Sequence, residues 1–140
     1  MNETTVIENQ NAPARRQHQS SRHQPTGCWI RRERRLALYL RDRFTCNYCG
    51  RDLRNEAPEN VTLDHLLPRS AGGSNEPTNL VVCCRSCNSS RQDKPWMDFA
   101  PGFAVERIET NRHLPLNIPL ARAILSGEIN RLTADVETLR

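Results

Sequence analysis

The chain has 140 residues and a formal net charge of +4, enough for one small domain with tails. Hydrophobic residues make up 36% of it, so any core is modest and wants a staple, and no apolar run approaches the ~18 residues of a membrane span. The opening MNETTVIENQNAPARR lacks the apolar stretch of a secretory signal. This argues against membrane insertion or secretion and sets the expectation of a cytoplasmic protein whose paired cysteines hold metal rather than form disulfides.

The charge is unevenly spread. Between residues 28 and 54 eight arginines face three acids, whereas residues 55–99 carry four basic side chains against six acidic ones. Lys94 is the only lysine beside nineteen arginines. Guanidinium groups make planar, bidentate contacts to phosphate, so this bias leans towards a nucleic-acid partner.

Residues 1–27 are polar, without apolar periodicity, and read as a disordered tail. From Cys28 to Phe44 the pattern predicts a helix. Ile30, Ala37, Leu40 and Phe44 form its apolar stripe with Leu36 beside it, and Arg31, Arg32, Arg34, Arg35 and Arg41 lie largely off it. A basic, phosphate-facing side is one reading and a solvated charged face the other. Thr45 to Gly50 is a Cys-x2-Cys knuckle whose last glycine suits a turn with positive φ. Residues 51–60 read as loop. Val61 begins an extended segment that ends near Leu67, before Pro68, and Ser70 to Pro77 is a loop of glycine, serine, asparagine and proline. Leu80-Val81-Val82 is the returning strand of a hairpin. A helix then starts at Ser86 or Cys87 and runs to about Lys94, ahead of Pro95. Residues 96–116, interrupted by Pro101, Gly102 and Pro115, are expected to be irregular or weakly helical. Ile118 to Gly127 reads as a helix, with Gly127 either capping it or tolerated within a longer helix to Leu139.

Two Cys-x2-Cys units, Cys46 with Cys49 and Cys84 with Cys87, predict a four-thiolate zinc site. Four protein ligands leave no position for a reacting water, so the site is expected to be structural and to contribute folding energy. Cys83 competes with Cys84 for the third place. Cys84 is preferred because it repeats the Cys-x2-Cys spacing and leaves Cys83 as a strand side chain.

Asp64 and His65 stand together near the end of the first strand, and Asn88 follows the last zinc cysteine. A neutral imidazole accepts a proton from water near pH 7, and a carboxylate with an amide oxygen suits Mg²⁺. These are the parts of metal-assisted phosphodiester hydrolysis. In a regular strand Asp64 and His65 point to opposite faces, so a shared site requires the strand to end, bend or bulge there.

The stretches LALYLRDRFTCNYCG and LDHLLPRSAGGSNEPTNLVVCCRSCNSSRQDK resemble the HNH endonuclease family, in its four-cysteine zinc branch, over about residues 30–97. The resemblance implies an α+β, zinc-stapled ββα-metal unit, treble-clef-like, over residues 28–97, with a flanking N-terminal helix and a mostly helical C-terminal extension over 98–140. It implies His65 as general base, Asp64 and Asn88 as ligands of a catalytic Mg²⁺ or Mn²⁺, and Asn79 as the residue that holds the hairpin loop for His65. Asn88 replaces the second histidine of the family's literal pattern, a change that favours oxygen-liking ions. Arg69, Arg85 and Arg91 are candidate phosphate contacts. The expected substrate is double-stranded DNA, read with low intrinsic sequence specificity. Two alternatives remain at this stage: a zinc-containing nucleic-acid-binding module without catalysis, and a homodimer or partner complex formed through the apolar C-terminal segment.

Overall fold

The computed structural model describes residues 30–129. The expected tail 1–27, Cys28 itself and the extension towards Leu139 lie outside the described residues, but Ile30 and Arg31 precede the first helix, which therefore starts at Arg32, later than expected. The elements run α1 (Arg32–Arg41), β1 (Val61–His65), β2 (Leu80–Cys84), α2 (Arg85–Arg91), α3 (Trp96–Phe99), α4 (Gly102–Arg112) and α5 (Ile118–Ser126), with short 3-10 turns at Pro58–Asn60, Arg69–Ala71 and Pro77–Asn79. The class is α+β, and β1, β2 and α2 form a ββα unit.

Strands β1 and β2 pair antiparallel, from Val61 opposite Cys84 to His65 opposite Leu80, in register with no bulge. All five residues of β2 are buried, which explains a strand written LVVCC with no polar side chain. A two-stranded sheet has two open edges, and here side chains close both. On the β2 edge, Asp42 accepts the Val82 N–H at 2.9 Å, Asn47 N–H and Nδ2 both reach the Val82 carbonyl, and Arg41 Nη2 donates to the Leu80 carbonyl at 2.6 Å. On the β1 edge, the Val61, Leu63 and His65 carbonyls accept from Tyr39, Asn88 and Arg91.

Helix α1 is built from strong helix formers, and both of its sides are buried. Leu38 joins the core around the hairpin, while Leu36, Ala37 and Leu40 pack in a second cluster with Phe44 and Ala121 of α5. The helix is shorter than its apolar stripe. Arg43 and Phe44 adopt φ of 56° and 49°, and Phe44 N–H bonds back to the Tyr39 carbonyl at 2.8 Å, so Phe44 reaches the core from a left-handed turn. Arg41 also departs from the expected basic face. It is buried, ion-paired to Asp42 at 2.6 Å, and donates to the Pro77 carbonyl at 2.8 Å. Its guanidinium fastens the hairpin rather than facing phosphate.

Of the two expectations for residues 96–116, irregular or weakly helical, the helical one holds: the region carries α3 and α4. Pro101 is the N-cap of α4 and Gly102 its first residue, so these residues start a helix instead of breaking one. Ala104 and Ile108 of α4 are fully buried in the hairpin core. Asn111 Nδ2 donates to Asn47 Oδ1 at 2.9 Å, tying α4 to the network on the β2 edge. Gly127 ends α5 with φ 82°, which settles it as a cap. Among the described residues no helix is long and apolar enough to cross a membrane.

Candidate functional site

The cysteine centre forms where the knuckle meets the start of α2. An isolated Thr45–Asp52 bridge closes the knuckle, and Gly50 turns it with φ 78°. Cys84 is the N-cap of α2, its sulfur accepting the Cys87 N–H at 3.4 Å, and Cys46 sulfur accepts the Cys49 N–H at the same distance. The ligand atoms of Cys46, Cys49, Cys84 and Cys87 all lie within 4.8 Å of one another. Cys49 and Cys84 sulfurs are 3.9 Å apart, close to the ~3.8 Å edge of a tetrahedron with Zn–S bonds of ~2.3 Å. The donor set therefore fits zinc. Burial pushes the Cys46 and Cys87 thiols up. At Cys49 burial also pushes upward, but hydrogen bonds from the Arg51 backbone and the neighbouring cysteines outweigh it and lower that thiol. Cys83 points elsewhere, buried beside Thr62 Oγ1 at 3.3 Å, with burial raising its pKa well above the ordinary value. The choice of Cys84 over Cys83 agrees with this geometry.

Strand β1 ends at His65. Thr62 and Asp64 project from one face of the strand, and Asn88 reaches that face from α2, its Nδ2 donating to Thr62 Oγ1 at 3.1 Å. Asp64 is buried. Its Oδ2 accepts from Tyr48 hydroxyl at 2.5 Å and from Arg91 Nη1 at 2.7 Å. Asp64 Oδ1 and Asn88 Oδ1 have no hydrogen-bond partner among the described residues, so each retains an oxygen suited to a hard cation. Burial and the adjacent Asp64 charge both push the Tyr48 phenol far up, so it stays a neutral donor to the carboxylate.

Asn79 clamps the connection between the strands. Its Oδ1 accepts the Leu67 N–H at 2.8 Å, and its Nδ2 donates to the Leu67 carbonyl at 3.0 Å and the Ser74 carbonyl at 2.9 Å. Both glycines of the loop are needed, for different reasons. Gly72 adopts φ 88° with open space around it, whereas a Cβ on Gly73 would lie 1.7 Å from the Leu67 carbonyl oxygen. Next in the loop, Asn75 places Oδ1 2.9 Å from His65 Nε2.

The segment that carries these residues has known counterparts. A family model described as HNH endonuclease matches residues 46–95. The resemblance to HNH endonucleases is shown over this segment. Every candidate site residue, from Cys46 to Arg91, lies inside it. The chain is also 32% identical over 80 residues to the CRISPR-associated endonuclease Cas9 of Corynebacterium diphtheriae. That match covers 52% of this chain and 7% of the relative, so the chain spans a small part of that protein's length. No solved structure matches.

Within the matched segment the three candidate phosphate-binding arginines separate. Arg69, on the turn after β1, and Arg85, at the start of α2, are exposed. Arg91 is 1% exposed and donates to Asp64 and to the His65, Leu66 and Lys94 carbonyls. This corrects the expectation of a phosphate contact: Arg91 is an internal brace. Asn75, Tyr48 and the Arg41–Asp42–Asn47 group escaped sequence reasoning. The one available signal was the length of the hairpin connection, which needs internal ties.

Proposed function

We propose that this chain is a metal-dependent endonuclease that hydrolyses DNA phosphodiesters through its HNH segment. The observation that carries the reading is the matched segment 46–95, in which Asp64 and His65 lie on β1, Asn79 on the turn before β2 and Asn88 on α2 of one hairpin–helix unit. His65 is the general base. It takes a proton as water oxygen attacks phosphorus, the P–O3′ bond breaks, and the 3′ oxygen leaves and gains a proton from solvent. The products are a 5′-phosphate and a 3′-hydroxyl. Asp64 and Asn88 would hold Mg²⁺ or Mn²⁺, which would supply positive charge against the negative charge that builds on the phosphate. Asp64 already pairs with Arg91, so a cation held there would gain less from its charge than from an unpaired carboxylate. Asn79 fixes the loop behind His65, and exposed Arg69 and Arg85 contact phosphates. The four cysteines hold a structural zinc. Contacts of this kind read backbone and groove shape, which supports double-stranded DNA with low intrinsic sequence specificity.

The test is plasmid cleavage by the zinc-loaded protein with Mg²⁺ or Mn²⁺, beside His65→Ala matched for zinc content and circular dichroism. Cleavage by the wild type alone supports the reading. A competing reading, a zinc-containing binding module without catalysis, draws on the pairing of buried Asp64 with Arg91. A folded wild type that shifts DNA at low salt but cuts nothing with either ion would favour it.

A further inference from the structure

The proposed base is tied to a side chain that its proposed role does not use. His65 Nε2 lies 2.9 Å from Asn75 Oδ1, ten residues on, across the hairpin connection. Asn75 is itself held from both sides. Arg34 of α1 donates Nη2 to the Asn75 carbonyl at 3.1 Å and pairs with Glu76 at 3.6 Å. Asn79 Nδ2 donates to the carbonyl of the preceding Ser74 at 2.9 Å, and Ser74 Oγ accepts the Glu76 N–H at 3.3 Å. The amide is therefore fixed by the backbone on each side of it, not by its own rotamer alone.

We infer that Asn75 is a positioning residue for His65, selecting the imidazole tautomer protonated at Nε2. The inference rests on the endonuclease reading above. An amide oxygen only accepts hydrogen bonds, so the 2.9 Å contact to Oδ1 requires the proton on Nε2. In neutral imidazole the lone pair is then on Nδ1, and Nδ1 is the atom that accepts the proton from water. The contact also fixes the ring plane, so that Nδ1 presents itself in one direction rather than sweeping about χ2. Arg34, outside the matched segment 46–95, thereby links helix α1 to the chemistry through the Asn75 carbonyl.

Two measurements on the full, zinc-loaded chain test this. The first is a long-range ¹H–¹⁵N spectrum of ring-labelled histidine, recorded above the imidazole titration, with His65 assigned by its loss in His65→Gln. Protonation at Nε2 is expected. Protonation at Nδ1 overturns the inference, because the amide would then be donating to Nε2. The second is single-turnover cleavage by Asn75→Ala and Asn75→Asp, each matched to the wild type in zinc content and circular dichroism. Asn75→Ala should lose roughly 10- to 100-fold in rate, with the DNA concentration at half-saturation unchanged. Asn75→Asp, which keeps an acceptor oxygen, should recover most of that loss. If Asn75→Ala cuts like the wild type while His65→Ala does not cut, the inference fails and the endonuclease reading stands. If the wild type itself does not cut, that reading fails, and the tautomer still decides whether Asn75 holds His65 in this way.

Discussion

Arg91 and Asp64, twenty-seven residues apart in sequence, form an ion pair of 2.7 Å with side chains 1% and 10% exposed. The guanidinium does more than balance charge. It also accounts for the His65, Leu66 and Lys94 carbonyls, three acceptors at the point where β1 ends and α2 gives way to the next turn. A buried pair of this kind is weak evidence for net stability, but removing one partner leaves a buried charge uncompensated.

Arg91→Ala is therefore expected to destabilise the fold by about 3–5 kcal/mol. Arg91→Lys should recover only part of this, because an ammonium lacks the planar fork that reaches Asp64 and the carbonyls together. Denaturant midpoints of the zinc-loaded proteins check both. The same pairing complicates Asp64→Ala, which removes the proposed ion ligand and also strands Arg91. Asp64→Ala should lose stability as well as cleavage, whereas Asn88→Ala should lose cleavage with a smaller change in midpoint. Equal midpoints for Asp64→Ala and wild type would show that the pair does not brace the fold.

The Arg41–Asp42–Asn47 group makes a second structural prediction, remote from the proposed chemistry. Asp42 Oδ2 accepts from Asn47 Nδ2, from Val82 N–H and from Arg41 Nη2, and Arg41 Nε adds a bond to Oδ1. Asp42→Ala leaves a buried guanidinium unpaired and opens the β2 edge. A loss on the order of 3–5 kcal/mol is expected, with amide exchange accelerating first at Val82. Unchanged protection of the Val82 amide in a folded Asp42→Ala protein would show that the edge is closed by other means.

The sequence disclosed features whose chemistry leaves a spacing, and concealed those that depend on contacts between distant segments. The Cys-x2-Cys pairs are legible because two sulfurs must reach one ion from a short turn, and Cys46, Cys49, Cys84 and Cys87 do converge. The hairpin is legible because VTLDH and LVVCC are short, β-rich and separated by turn residues. The bounds of helix α4 stayed open because Pro101 and Gly102 serve equally as breakers and as starters, and only the packing of Ala104 and Ile108 on the core decides between them. Arg41 and Arg91 were hidden because arginines are usually exposed, and nothing in the local sequence identifies the carbonyls they will reach. Asn75 was hidden among Gly72, Gly73, Ser74 and Pro77, all of which are explained by turn formation alone.

The glycine pair gives a prediction in which neighbouring substitutions differ in kind. Gly72→Ala meets open space and is strained only by its φ of 88°, so it should cost about 1 kcal/mol and leave the loop in place. Gly73→Ala cannot be accommodated, because its Cβ would stand 1.7 Å from the Leu67 carbonyl oxygen and 2.9 Å from that of Pro68, both backbone atoms. The loop must move, taking with it the Leu67 carbonyl that Asn79 Nδ2 holds at 3.0 Å. Cleavage should fall much further for Gly73→Ala than for Gly72→Ala at matched zinc content. Equal activities would show that the loop is not part of the positioning of His65.

The three neighbouring cysteines, Cys83, Cys84 and Cys87, differ sharply in what their loss should do. Cys84 and Cys87 belong to the sulfur cluster, whereas Cys83 lies on the opposite face of β2, against Thr62. Cys83→Ala should retain one zinc per chain and lose only about 1 kcal/mol, the scale of a small buried truncation. Cys84→Ala removes a ligand, the sulfur that accepts the Cys87 N–H at 3.4 Å, and the N-cap of α2 together. It should bind zinc poorly and lose the cooperative transition, and a strong chelator should have the same effect on the wild type, since metal binding and folding are linked. Zinc content by atomic absorption, followed alongside circular dichroism, separates the two variants. A Cys83→Ala protein that loses its zinc while Cys84→Ala keeps it would exchange their roles and overturn the proposed ligand set.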